Sequence, residues 1–154
     1  MGLQGPIGPA GPTGPQGPAG VATIYLMSGT TTIATNATHN FTGVLGGHVA
    51  AANNEANLQM PLQFDCAVQD VKVHFQTAPS ATVNTAKFFD IFLRKNGANT
   101  STTCRIESTA TDCTMAVSTA ITNLTDLINW DLVPNQTGTQ PASPGFASIT
   151  GVCK

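Results

Sequence analysis

Apolar and polar residues alternate along most of the chain after residue 60, and the phase of that alternation places the strands. In residues 86–107, Phe89, Ile91 and Leu93 recur at every second position, which predicts a strand with one buried face. Asn96-Gly97 follows, a strong two-residue hairpin signal, so a returning strand is expected. Phe88, next to Phe89, must point to the opposite face and is a candidate for a subunit interface or a ligand contact. In residues 62–77 the apolar positions run Phe64, Cys66, Val68 and then Val71, Val73, Phe75. The phase slips at Gln69-Asp70, where a β-bulge would account for it. Residues 21–29, 114–119, 126–133 and 145–153 read as further strands, while Pro134, Pro141 and Pro144 confine the stretch before the last one to a loop. Residues 30–43 carry turn chemistry at Asn36 and Asn40, and residues 44–60 look irregular or briefly helical. Short strands at this spacing predict an all-β head, a sandwich or jelly roll.

The first twenty residues follow another rule. Glycine stands at Gly2, Gly5, Gly8, Gly11, Gly14, Gly17 and Gly20 without a miss, and proline takes the second place in five of the six triplets between them. A strict period of three fits the axis of a collagen triple helix, where only a residue without a side chain has room; a disordered Pro/Gly linker has no such period. Proline never takes the third place, the site prepared for hydroxyproline, which suggests a prokaryotic or viral chain. Six triplets make a rod of about 60 Å at most, too short to hold three chains alone, so the domain behind it must bring them together. The reading is therefore a stalk over residues 2–20 and one head domain over residues 21–154.

Composition agrees. Only 9% of the 154 residues are charged, the net charge is -2, and threonine and asparagine carry the polarity, as pleated strands and their turns require. No apolar run approaches the roughly 20 residues that cross a bilayer, so no membrane insertion is expected. Of the three pairings open to Cys66, Cys104, Cys113 and Cys153, one is favoured: a strand, a polar turn at residues 107–110 and a returning strand would set Cys104 opposite Cys113, leaving Cys66 for Cys153. A zinc site would need close ligand pairs such as C-x-x-C, and there are none. Disulfides place the chain in an oxidising compartment, extracellular or on a particle surface.

The stretches MPLQFDCAVQDVKVHFQTAP, FFDIFLRKNGANTSTTCRIESTATDCT and LTDLINWDLV resemble the C-terminal domains of bacterial and phage collagen-like proteins, in which RKNG sits in a central hairpin. The likeness spans residues 58–152. It implies a homotrimeric jelly-roll head of the C1q and tumour-necrosis-factor type, as in collagen-like surface adhesins and phage tail-fibre tips. Thr125-Asp126 departs from the Gly-Asp common in such proteins, so the turn there is expected to differ.

Little in the sequence points to catalysis. His39, His48 and His74 are not at metal-ligand spacing, no G-x-S-x-G elbow occurs, and the carboxylates are scattered, so neither an enzyme nor a cofactor is expected. Five Asn-x-Ser/Thr sequons, at Asn36, Asn40, Asn99, Asn123 and Asn135, follow from the abundance of both residue types. Charge placement is more telling. Lys72, Lys87, Arg94, Lys95 and Arg105 lie in one interval against a single acid, Asp90, for a local net charge of +4, while the remainder is acidic. Repeated around a threefold axis, such a patch would gain avidity for a polyanion, and these five are the candidate contacts to sulphated host glycans. Nucleic acid fits poorly with a pI near 5.8. The expected function is thus an extracellular trimeric adhesin for polyanionic glycans. The alternative is a structural fibre tip or appendage module that serves trimerisation and attachment.

Overall fold

Alternating β-branched and aromatic residues do form strands. Among the described residues these are β1 (Ile24–Thr30), β2 (Phe41–Thr42), β3 (His48–Val49), β4 (Met60–Pro61), β5 (Cys66–Phe75), β6 (Phe88–Lys95), β7 (Ala98–Glu107), β8 (Asp112–Met115), β9 (Thr119–Ile121), β10 (Leu127–Pro134) and β11 (Ala147–Cys153), with one 3-10 helix, Ala52–Asn57, between β3 and β4. The structure is a computed structural model that describes residues 1–3, 5, 11, 13–14, 23–30, 33–49, 52–83, 86–135 and 139–154. The stalk reading therefore falls largely outside the described residues, and Gly8, Gly17 and Gly20 do so entirely.

The strands make two antiparallel sheets. In one, the order is β1-β11-β5-β8, with β9 also pairing with β5; in the other it is β3-β2-β10-β6-β7, with β4 also pairing with β10. Their inner faces share one apolar core. Leu26, Val68, Val71, Val73, Phe75 and Ile149 come from the β5 sheet, and Phe89, Ile91, Leu93, Ile106, Trp130 and Leu132 from the β10 sheet. The rings of Phe75 and Phe89 meet edge to face across the gap at 5.3 Å. Each such buried side chain contributes about 1.5–3 kcal/mol relative to exposure. This is the arrangement of a β-sandwich.

The phase slip in β5 is a bulge. Val152 pairs with Gln69 and Thr150 with Lys72, so Asp70 and Val71 stand against the single Gly151, and Asp70 takes a φ of 55°. The extra residue lets Val68 and Val71 both face inward. The hairpin signal also holds: Asn96 and Gly97 have φ of 52° and 78°, the two positive values of a type I′ turn, and join β6 to β7.

Both cysteine pairs are formed, with Cα atoms 5.4 Å apart in Cys66–Cys153 and 5.9 Å in Cys104–Cys113. The geometry behind the second differs from the expected hairpin. Cys104 pairs with Ile91 in the β10 sheet and Cys113 with Val73 in the β5 sheet, so the bond links the two sheets at their open edge. The chain changes sheets between β7 and β8, turning at Ser108, whose φ is 54°, and the Phe75 N–H then donates to Thr111 O. Beside this bond the hydroxyls of Thr102 and Thr119 meet at 2.6 Å, and at the opposite edge Ser28 and Thr42 meet at 2.8 Å. Bonds between the sheets thus cross the sandwich at both sides.

Candidate functional site

Strand β10 is buried on both faces. Ile128, Trp130 and Leu132 enter the core, while Asn129 and Asp131, on the outer face, are also fully buried. Their cover is the chain around residues 34–41 and the 3-10 helix. Asn40, itself buried, holds this segment through its side chain: Nδ2 donates to Ala34 O and Leu132 O, and Oδ1 accepts from Ala34 N–H. His39 Nδ1 lies 2.7 Å from Asp131 Oδ2, and the imidazole stacks on Phe41. Burial pushes the Asp131 carboxyl above the usual carboxylate range, with His39 and then Arg94 drawing it back.

Arg94 lies on this outer face because Asn129 is its partner across the β6–β10 ladder. Its Nε and Nη2 donate to both Glu55 oxygens, at 2.6 and 3.1 Å, Nη1 donates to Asn99 Oδ1 at 2.5 Å, and Nη2 also bonds Gly97 O. The guanidinium lies over the Phe41 ring, and its side chain is only 12% exposed. This candidate glycan contact is a clamp that fastens the 3-10 helix to the β10 sheet.

The other four candidates are dispersed. Lys95 Nζ reaches Asp126 Oδ2 and Ala120 O, each at 3.2 Å, and ties the β6–β7 turn to β9. Asp126 also accepts from Thr122 N–H and Asn96 Nδ2, both at 2.8 Å, and these bonds hold its carboxyl down at about 2. Thr125-Asp126 thus builds a turn on a side-chain knot, with Leu124 at a φ of 53°. Arg105 grips both oxygens of Asp90, at 2.6 and 2.9 Å, and lies 3.7 Å from the Phe88 ring centre. The hydrogen bond to Asp90 raises its pKa further. Lys72 is exposed on the outer face of the β5 sheet, and Lys87 is half-buried just before β6. Neither has a salt bridge to another described residue. The five cations do not form one surface, and three of them are matched by carboxylates. Two of those partners, Glu55 and Asp126, come from outside the basic interval, which is why its sequence charge overstates the charge of the surface.

Phe88 does point outward, opposite Glu107, but Arg105 covers it. Of the histidines, His74 bonds Asp112 at 2.8 Å on the outer face of the β5 sheet. No group of three or more metal-ligating side chains occurs among the described residues. Asn40 and Asn135 are buried, whereas Asn36, Asn99 and Asn123 are exposed and open to a glycosylating host. A cleft of about 320 Å³ beside the bulge is lined by Gln69, Asp70, Thr114, Val117 and Ser118, and holds none of the five cations. Among the described residues no helix is long and apolar enough to cross a membrane. Compared with family models, with curated proteins and with solved structures, the chain matches none.

Proposed function

We propose that this chain is one third of a collagen-stalked extracellular attachment fibre, in which the head gathers three copies, starts the triple helix and caps it. The observation that carries the reading is an unbroken run of Gly-X-Y triplets leading directly into a disulfide-linked β head. Strand order supports a jelly roll: β1-β11-β5-β8 in one sheet and β2-β10-β6-β7 in the other is the order of eight strands wound as two Greek keys. The disulfides indicate an oxidising, extracellular setting.

Between the two readings open from the sequence, the pairing of Arg94, Lys95 and Arg105 favours the fibre tip, since committed cations are poor ligands for a polyanion. Polyanion binding then falls to Lys72 and Lys87. Native mass spectrometry of the intact chain tests the assembly: three times 15.8 kDa, about 47 kDa, is expected, and a 15.8 kDa species at micromolar concentration overturns it. Retention on heparin tests the ligand. The fibre-tip reading expects elution at low salt, unchanged in Lys72→Ala/Lys87→Ala; strong retention lost in that variant restores the glycan-binding adhesin.

A further inference from the structure

The outer faces of the two sheets differ in one respect that bears on assembly. That of the β10 sheet mixes charged and apolar side chains, with Asp90, Arg94, Arg105 and Glu107 beside Phe88 and Phe92 at outward register positions, and its Asp131 is buried under the chain around residues 34–41. That of the β5 sheet carries charge on its β5–β8 half, at Asp70, Lys72, His74 and Asp112, and at Lys154, just past the end of β11, whose Nζ reaches Asp70 at 3.5 Å. On the β1–β11 half the outward pairs are Tyr25 with Val152, Met27 with Thr150 and Gly29 with Ser148. Neither strand carries a charge.

This uncharged half is also where large apolar side chains are left in water. Tyr25 is 71% exposed and Met27 66%, side by side along one strand face. Phe146, 41% exposed, extends the patch: a Cβ on Gly29 would stand 3.0 Å from its ring, so the ring lies close against the β1 backbone. Other exposed apolar residues, such as Leu45, Val83 and Leu124, stand singly in loops and turns.

β1 is an edge strand as well, with β11 as its partner in the sheet. Its seven residues, IYLMSGT, contain no lysine, no proline and no acid, the usual means of blocking an open edge. The other edges differ. β7 carries Arg105 and Glu107 and is tied by a disulfide, β8 opens on Asp112, and β3 is two residues long.

We infer that two further copies of this chain cover the β1–β11 face, with Tyr25, Met27 and Phe146 at the centre of the trimer. The occupant is fixed by chain connectivity. Gly20, the last glycine of the repeat, is four residues from Ile24, so β1 begins within about 14 Å of the axis on which three chains must meet. An apolar, uncharged, unblocked strand at that distance from two identical strands finds them before any other partner. This inference rests on the trimer proposed above and goes further by assigning its face.

The test uses the intact protein. In the wild type, hydrogen peroxide is the probe, because Met1 is fully exposed and Met27 is mostly so in the single chain. If β1 lines the trimer centre, Met27 oxidises at least about tenfold more slowly than Met1 at concentrations where the mass is that of a trimer. Met27→Glu is expected to sediment as a monomer with its strand circular dichroism intact, while Val83→Glu, altered at an equally exposed loop residue, stays trimeric. A trimer in which Met27 oxidises as fast as Met1 overturns the face assignment and leaves the trimer standing. A monomeric wild type removes the trimer itself. Should Met27→Glu fail to fold, the peroxide result on the wild type decides alone.

Discussion

Asp126 and Asp131 are five residues apart, and their surroundings drive them in opposite directions. Asp126 accepts from a backbone N–H, an amide and an ammonium, and its carboxyl sits at about 2. Protons then bind the unfolded chain first, so Asp126 stabilises the fold above about pH 4 and that contribution is lost as pH falls towards 2. Asp131 is raised instead, because burial costs its charge more than His39 and Arg94 return. Here the folded state binds the proton more tightly, so stability attributable to Asp131 rises as pH falls through its raised pKa. Urea unfolding of the wild type, Asp126→Asn and Asp131→Asn across the acid range should show both signs. The wild type's advantage over Asp126→Asn shrinks with acid, and its stability relative to Asp131→Asn grows. Equal signs for the two would mean that their environments are not as described.

Among elements, the two disulfides divide the work by the length of chain they close. Cys66–Cys153 spans 87 residues and Cys104–Cys113 only 9, so loop-closure entropy gives about 4.6 and about 2.6 kcal/mol. Replacing both cysteines of a pair by serine should therefore cost more for the first pair by about 2 kcal/mol, read from urea midpoints. The reverse order would show that linking the sheets outweighs loop length. These bonds also mark where sequence reasoning stops. Alternation at Phe89, Ile91 and Leu93, the slip at Gln69-Asp70, the Asn96-Gly97 turn and both cysteine pairs were legible because each is encoded within a few residues or by elimination. The sheet switch between Cys104 and Cys113 was not, since a polar turn looks the same whether the chain returns beside itself or crosses the core. Nor were the partners of Arg94 and Lys95 visible. Glu55 lies 39 residues away and Asp126 31, so only folding reveals that the basic interval is largely matched.

At the scale of the whole molecule, the order of dependence between stalk and head is itself open to measurement. In the proposed trimer, six triplets with no proline at the third place would make a weak triple helix, whereas the head has its own core and two disulfides. The stalk should therefore melt first and need the head, and the head should not need the stalk. In the proposed triple helix Gly11→Ala would put a side chain at the crowded axis, and it is expected to abolish the collagen-type circular-dichroism signal. It should leave the mass at about 47 kDa and the head's unfolding transition in place. Raising the temperature of the wild type should likewise remove the collagen signal first, in a step that reverses quickly if, as proposed, three ends remain held at β1. If Gly11→Ala instead released monomers, the repeat would be the assembling element and the apolar β1 face would have to be covered by something other than its own copies.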